Sequence, residues 1–363
     1  MTGVPFASTR TLTNVALPPT AAQLAPPAIN TVPPFSGTVS AFDPNLKLPY
    51  TMQWNFAVEQ GIGSNQTVTA SYVAAVGRRL LEGLSLPAPN STFTGSMGFT
   101  GNLATSDYHS MQLQFQRRLS RGIQTLASYT WSHSIDDQSN DVFAATTATF
   151  SRSNSNFDIR HRAAAAITID IPGPKENGIA RAIFGGWGLD PIFNIQSAGP
   201  VDLIGRSSVN IDGRIQSTRP NVIPGIPLYL YGSQYPGGKI INNTPNQGGT
   251  GCKGPFCSAP AGQQGNLGRN LIRAFPVSQV DLSLRRRFKV TERFNFQLRC
   301  DVFNIFNHPN FANPQATLSS SLFGTTTSMY ANGLGAGGGR GGLNPLYSIG
   351  GPRSMQFSLK LNF

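Results

Sequence analysis

Charged residues are scarce in this chain of 363 residues, since Asp, Glu, Lys and Arg together make up 12% of it. That share is about half of what soluble globular domains carry. Long apolar runs are absent too: no stretch of about 18 apolar residues occurs, which excludes a transmembrane helix but leaves crossing by strands open. The mean hydropathy is nevertheless only −0.15. Together with 39 Gly and 27 Pro, these values favour a transmembrane β-barrel, whose alternating apolar and polar residues cancel in the average.

Cysteine and histidine are rare, and their positions do not indicate a catalytic or metal site. The four histidines are dispersed, with none at metal-ligand spacing from another (His109, His133, His161 and His308). Cys252 and Cys257 lie in the Gly/Pro-rich segment GCKGPFCS, where they can form a disulfide in an oxidising compartment. A zinc site would need about four ligands, and no second cysteine pair or nearby histidine completes one around Cys252 and Cys257. Cys300 lies on the apolar face of a predicted strand and is interpreted as a small hydrophobic residue.

Motifs of catalysis and cofactor binding are missing as well. No nucleophile elbow, phosphate loop or cofactor fingerprint occurs, so we expect neither an enzyme nor a bound cofactor or metal. The acidic segment SHSIDDQSND (132–141) lacks the usual calcium-loop pattern. A solvated loop is the simpler interpretation of it.

Positive charge is in excess, with a formal net charge of +12. Nucleic-acid binding is disfavoured, because the Arg and Lys residues are scattered along predicted strands instead of forming one patch. Six arginines lie near strand ends or on polar strand faces: Arg117, Arg118, Arg285, Arg286, Arg293 and Arg299. They suggest an anionic ligand or the phosphates of lipopolysaccharide.

Strict alternation of apolar and polar residues is the main structural signal. The last nine residues, MQFSLKLNF, place large apolar groups at every second position, which is typical of a strand with one apolar face. Seven further segments alternate in the same way: TMQWNFAVEQ, QTVTASYVA, YHSMQLQFQRRL, IQTLASYTWSHS, DIRHRAAAAITIDI, VSQVDLSLRRRF and ERFNFQLRCDVFNIFN. An eighth, FGGWGLDPIFNIQS, alternates more weakly because Pro191 interrupts it. Several exceed the usual strand length of about 5 or 6 residues. The pattern predicts an all-β protein, an antiparallel transmembrane barrel of roughly nine or ten long strands.

The polar faces of these strands predict a wet lumen. In the segment ERFNFQLRCDVFNIFN, the charged side chains Arg293, Arg299 and Asp301 share one face and are candidates for lumen-facing residues. In FDIRHR, the residues Asp158, Arg160 and Arg162 are candidates for a salt bridge at the barrel rim. Aromatic residues near strand ends favour girdles at the lipid interfaces, with ordinary strand packing as the alternative: Trp54, Tyr72, Tyr129, Trp131 and Trp187.

The connections alternate between short and long, as in outer-membrane barrels with short periplasmic turns and long extracellular loops. GIGSN, SRG and KVT are short, whereas the predicted extracellular loops are long: 77–107, 136–158, 199–276 and 307–353. Parts of the last two are rich in Gly, Pro, Asn and Ser. Disordered linker and ligand-facing surface are both open interpretations of them.

The N-terminal region does not read as the start of an exported barrel. Residues 1–49 are interpreted as an extracellular loop or linker, followed by barrel in residues 50–363. They lack the charged and apolar regions of a signal peptide. Because roughly nine strands is an odd number and single-chain barrels close on even ones, we expect this chain to be the C-terminal part of a longer barrel.

Several segments resemble the C-terminal barrel half of TonB-dependent outer-membrane receptors. The resemblance covers most of residues 50–171 and 276–363, and DVFNIFNHPNF with the terminal aromatic strand is its most specific part. The most similar group is the Oar-like receptors, which carry a carboxypeptidase-regulatory-like domain. The resemblance implies a Gram-negative outer-membrane protein with a barrel of about 22 strands, filled by a plug domain whose preceding segment contacts TonB.

The resemblance also implies partners and an assembly signal. Phe357, Leu359, Leu361 and Phe363 would be read by the barrel-assembly machinery, and the barrel would contact outer-membrane lipid, lipopolysaccharide and a ligand. The sequence has no plug and no TonB-contacting segment, so TonB is a partner only if an upstream plug region exists. The predicted function is therefore a receptor fragment for ligand uptake or export. A non-transport surface barrel for adhesion or assembly, a truncated relic and a soluble secreted β-rich protein are the alternatives.

Overall fold

The computed structural model describes residues 5–8, 11–13, 17–139, 152–174, 178–211, 213–289, 295–330 and 349–362. Within these ranges the dominant feature is one large, curved sheet. Nine long strands follow one another in it, and every neighbouring pair among them is antiparallel. The predicted fold class, an antiparallel barrel-type sheet of roughly nine or ten long strands, is confirmed.

The elements are, in chain order, α1 (Ala21–Leu24), β1 (Val39–Phe42), β2 (Tyr50–Ile62), β3 (Gln66–Leu86), β4 (Met97–Ser120), β5 (Ile123–Asp136), β6 (Ser153–Asn154), β7 (His161–Asp170), α2 (Gly178–Phe184), β8 (Trp187–Gln196), β9 (Pro200–Val201), β10 (Arg206–Ile211), β11 (Arg214–Thr218), β12 (Asn221–Val222), β13 (Tyr229–Tyr231), a 3₁₀ helix (Pro236–Gly238), β14 (Lys239–Ile241), β15 (Phe256–Cys257), β16 (Ile272–Arg273), β17 (Val277–Lys289), β18 (Asn295–Phe303) and β19 (Ser354–Asn362). The order across the large sheet, here called the wall, is β19-β18-β17-β8-β7-β5-β4-β3-β2.

The register of the wall sorts the alternating residues onto two faces. Directly paired residues point to the same side of a sheet, so the apolar set of each strand continues onto the next. Leu284 pairs with Cys300, and Cys300 in turn pairs with Phe357. Met355, Phe357 and Leu359 are 57%, 71% and 68% exposed. The outer face of the wall is thus a continuous apolar surface, and the other face carries Gln, Ser, Thr, Asn, Asp and Arg.

At one end of the wall, which we call the short-turn end, tight turns join β2 to β3 and β4 to β5. Arg121 and Gly122 both have positive φ, at 51° and 77°, as the two central residues of a type I′ hairpin turn require. A side chain at Gly122 would lie 2.7 Å from the carbonyl oxygen of Asp170, so this position needs glycine for space as well as for conformation.

Pro191 interrupts the alternation of its segment without breaking strand β8. The pairing of β7 with β8 includes Ala166 with Ile192 and Ile169 with Leu189, but the two positions between them are unpaired. On the other side, Pro191 is matched with Leu282 of β17. Proline lacks a backbone N–H, which explains the gap on one side only.

The prediction of a long loop over residues 77–107 is wrong. Strand β3 continues to Leu86 and β4 begins at Met97, so the connection is only 87–96. Beyond the lipid-facing part of the wall, the β3–β4 hairpin remains paired. Its side chains no longer alternate between lipid and lumen there, so the alternation of apolar and polar residues is lost from the sequence. The segment 1–49 also differs from a simple loop, because β1 pairs in parallel with β4.

The long connections 199–276 and 307–330 fold together into a compact unit, which we call the cap. Its buried core contains Val201, Leu203, Ile241, Phe256, Leu267, Ile272, Ala274, Leu318 and Phe323. Short strand pairs, β10 with β11, β12 with β15, β13 with β14 and β9 with β16, surround this core. The described parts of these loops are therefore packed structure and not disordered linker. Residues 331–348 of the predicted loop 307–353 lie outside the described residues.

Among the described residues, no helix is long and apolar enough to cross a membrane.

Candidate functional site

The polar face of the wall carries a network of ion pairs and hydrogen bonds on four strands, β7, β8, β17 and β18. Arg285 on β17 donates to Asp170 on β7 at 2.6 Å and to Asp190 on β8 at 2.9 Å. Only 4% of its side chain is exposed. On the next strand, Arg299 donates to Asp301 at 2.7 Å and to Ser283 at 2.8 Å. Paired charges of this kind can exist on a wet inner face, where water and polar neighbours replace the solvation lost on burial.

At the opposite end from the short turns, Asp158 is the centre of a second network. Its side chain is completely buried and accepts from Arg160 at 2.9 Å, from Arg273 at 2.5 Å and from the Ser134 backbone at 2.9 Å. Burial alone would raise the pKa of this carboxyl, but the hydrogen bonds from Arg273 and Ser134 and the nearby positive charges hold the pKa below its usual value. Asp158 is therefore ionised at neutral pH, as the ion pairs with Arg160 and Arg273 require.

Two arginines of the cap reach down to the wall and join it. Arg273 binds Asp158, while Arg269, itself 5% exposed, pairs with the carboxylate of Asp136 and with its backbone oxygen. The carbonyl of Arg269 accepts from Ser153 at 2.6 Å. We call the set Asp136, Asp158, Arg269 and Arg273 the rim junction. Because buried ion pairs are costly to separate once formed, the rim junction holds the cap at a fixed position above the wall.

The cap has its own cross-links. Cys252 and Cys257 form a disulfide. Lys239 donates to the carbonyl of Ala274 at 2.7 Å and lies over the ring of Tyr229 at 4.5 Å. Burial lowers the pKa of the Lys239 ammonium and raises the pKa of the Tyr229 phenol. The contacts of Tyr229 and Lys239 join the β13–β14 hairpin to the backbone at Arg273 and Ala274.

Within the described ranges, no group of three or more His, Cys, Asp or Glu side chains is arranged to hold a metal ion.

The site residues that the sequence singled out lie in different places. Arg299 and Asp301 lie on the polar face, whereas Arg293 and Phe363 lie outside the described residues. Asp158 and Arg160 are in contact, but Arg162 is exposed and makes no ion pair within the described part of the chain. The assembly-signal candidates Phe357, Leu359 and Leu361 are exposed on the outer face. Their roles remain predictions.

The aromatic residues lie at two levels of the outer face. Trp54 lies eight residues from the short-turn end of β2, and Trp131 lies eight residues from the short-turn end of β5. Beside them, Tyr72 contacts His109 at 2.7 Å and Tyr129 contacts His161 at 2.8 Å. Trp187 lies at the other level, at the first position of β8. This arrangement fits two interfacial girdles.

Arg269 and Arg273 were not recognised from the sequence. They lie in the segment GRNLIRAF, four residues apart. Their partners are about 115 to 133 residues away. Arginine spacing in a loop carries no information about a partner so distant in sequence, so no signal in a single sequence could have identified them.

Comparison with known families gives the class of the protein. The outer membrane beta barrel domain family matches residues 2–341, and the chain belongs to this family. It is accordingly a non-enzymatic barrel protein of the Gram-negative outer membrane. Outer-membrane barrels in general have long extracellular loops and short periplasmic turns. No curated protein matches the chain.

Solved structures with a similar arrangement are outer-membrane proteins. They include the outer membrane transporter YddB from Escherichia coli (10% identity, TM-score 0.47, 90% of this chain and 34% of that one). The FrpB iron transporter from Neisseria meningitidis (9% identity, TM-score 0.43, 90% and 33%) and the ferripyoverdine receptor from Pseudomonas aeruginosa (10% identity, TM-score 0.40, 86% and 27%) are also similar. The chain spans about a third of the length of these proteins.

Proposed function

We propose that the chain is the C-terminal part of the barrel of a TonB-dependent receptor of the Oar-like type, which takes up or exports a ligand past a plug. In this proposal residues 1–49 form an extracellular segment and residues 50–363 the barrel part. TonB and the barrel-assembly machinery would be partners of the whole receptor, TonB only through an upstream plug region.

The observation that carries the proposal is the pair of open edges of the wall. In the described part of the chain, β2 pairs only with β3, and β19 pairs only with β18. Each edge has a row of backbone groups with no sheet partner. Unpaired edges are too costly in lipid, where no water replaces the missing hydrogen bonds. Further strands would therefore complete the nine, to the about 22 strands of outer-membrane transporters.

The polar face and the cap support a role in ligand passage. The network of Arg285, Arg299 and their acidic partners would line the wall of the lumen, and the cap would cover its extracellular mouth. We expect an anionic ligand, because the charge balance is basic. Replacing Arg293 and Arg299 by Gln should then weaken anion binding, as measured by isothermal titration with the purified receptor.

An immunoblot of outer membranes with an antibody against the cap tests the central claim. The proposal expects a single species much larger than the 38.8 kDa of this chain. A species of about that mass, inserted in the membrane, would contradict it. A matching antibody against residues 50–62 should detect the same band, which controls for cleavage between cap and wall.

A non-transport surface barrel is the second candidate, and the folded cap favours it specifically. A compact extracellular unit with a disulfide is also suited to adhesion or assembly at the cell surface. If the protein is a transport receptor, deleting residues 205–265 should abolish ligand uptake. If it is a non-transport surface barrel, the deletion should reduce the attachment of cells, and ligand uptake should stay at the level of cells without the gene.

A further inference from the structure

The periplasmic end of the wall carries an exposed apolar helix that the barrel itself does not require. Helix α2 lies in the connection between β7 and β8. Its side chains Ile179, Ile183 and Phe184 are 75%, 53% and 63% exposed. Trp187, the first residue of β8, donates from its indole N–H to the carbonyl of Ile183 at 3.2 Å. This hydrogen bond fixes the helix at the level of Trp187, next to the lipid-facing surface.

An arginine lies on the lipid-facing side at the same level. Arg286 is paired in register with Trp187 and with Leu298, both on the outer face. Its guanidinium lies 5.0 Å from the ring centroid of Trp187 and 4.4 Å from that of Phe288. It also donates to the carbonyl of Ala182 in α2. Two aromatic rings and a helix carbonyl hold this cation in place at the edge of the apolar band.

A cavity of about 780 Å³ opens between α2 and the ends of the strands, lined by Asp170, Trp187, Arg285, Arg286, Arg287 and Phe288 among others. The carboxylate in it, Asp170, is paired with Arg285 at 2.6 Å. Neither Arg286 nor Arg287 has an ion pair within the described ranges. The cavity therefore has an excess of positive charge beside apolar side chains.

We propose that this cavity binds the phosphodiester headgroup of an anionic phospholipid from the periplasmic leaflet. The guanidinium of Arg286 suits a phosphate because its planar fork can donate two parallel hydrogen bonds. The acyl chains would lie along Phe288 and the exposed side chains of α2. Lipid is the occupant because the lining includes Trp187, Arg286 and Phe288 of the lipid-facing side and lies beside the exposed apolar side chains of α2. The inference needs only the membrane location and orientation, not the transport function.

Fluorescence quenching of Trp187 tests this. The whole protein as it occurs in the outer membrane is used, with every tryptophan except Trp187 changed to Phe, including the other two of this chain, Trp54 and Trp131. The protein is reconstituted in vesicles of phosphatidylethanolamine that contain either brominated phosphatidylglycerol or brominated phosphatidylethanolamine. We expect phosphatidylglycerol to quench Trp187 at a lower mole fraction. In Arg286→Gln, this preference should be about tenfold weaker, which corresponds to about 1.4 kcal/mol.

Arg118→Gln is the matched control, since Arg118 is exposed near the short-turn end of β4, two strands away from β7 in the wall. It should keep the full preference for phosphatidylglycerol. Equal quenching by the two lipids in the parent protein would overturn the proposal. So would an equal loss in both variants, which would mean a general effect of charge.

Loss of the preference on adding inorganic phosphate at the same concentration would assign the site to free anions instead of lipid. Quenching by brominated phosphatidylethanolamine must be the same in parent and variants, which shows that Arg286→Gln has folded and inserted.

Discussion

Replacing Glu82 by Gln should change how strongly the cap region depends on pH. Glu82 lies on β3, sixteen residues from the short-turn end of this strand at Gln66. At about 3.3 Å per residue this is about 53 Å along the strand, well beyond an apolar band about 25 Å tall. The side chain is 1% exposed, and its Oε1 atom has no hydrogen-bond partner among the described residues. Burial, with the charge of Asp137 adding to it, raises the pKa of this carboxyl from 4.5 to about 7, against the opposing charges of Arg214 and Arg269.

The sign of the effect follows from proton binding. Between about pH 4.5 and 7 the folded protein holds a proton on Glu82 that the unfolded segment has lost, so the stability of the segment falls as pH rises through this window. A rise in pKa from 4.5 to about 7 corresponds to a loss of about 3 kcal/mol by about pH 8. Gln resembles the protonated acid at every pH. Glu82→Gln should therefore match the parent near pH 4 and be more stable by up to about 3 kcal/mol near pH 8.

Amide hydrogen exchange of β3 and of the contacting cap hairpin β10–β11 measures this locally, after correction for the intrinsic pH dependence of exchange. Glu59→Gln, which replaces an exposed carboxylate on β2, is the control and should leave the profile of the parent unchanged. If the parent shows no loss of protection between about pH 5 and 8, or if Glu82→Gln loses as much, the reasoning from burial is wrong.

Three further changes test the cap and the wall. Asp158→Asn leaves Arg273 without its carboxylate partner and should destabilise the cap by about 3 kcal/mol. This is the low end for a broken buried ion pair, because the arginine keeps partial access to solvent. Limited proteolysis should then cut the cap faster, and unchanged cleavage would refute a role of Asp158 in holding the cap. Cys252→Ser should lower the resistance of the cap to proteolysis in non-reducing buffer, while Cys300→Ser, on the outer face, should not. Deleting Phe363 should lower the amount of heat-modifiable protein in outer membranes at least several-fold, with normal amounts counting against an assembly signal.

The sequence alone determined the wall. A period of two with large apolar groups can be satisfied only by strands, and the length of the segments with the alternation of short and long joins already required a membrane barrel. Local pattern is enough here because, within the bilayer, each strand meets lipid on one face and water on the other. Polar residues such as Arg299 and Asp301 could be placed on the inner face for the same reason.

The tertiary structure alone decided the cap and how it is attached. The residues of its core, from Val201 to Phe323, are separated by turns rich in Gly and Pro, so no period marks them as buried. The pairs of the rim junction join residues more than a hundred positions apart. In the upper half of the β3–β4 hairpin, which extends beyond the bilayer, apolar and polar residues likewise do not alternate, although the strands remain paired. Where both faces of an element meet protein, long-range packing selects the partners, and a local pattern does not contain that information.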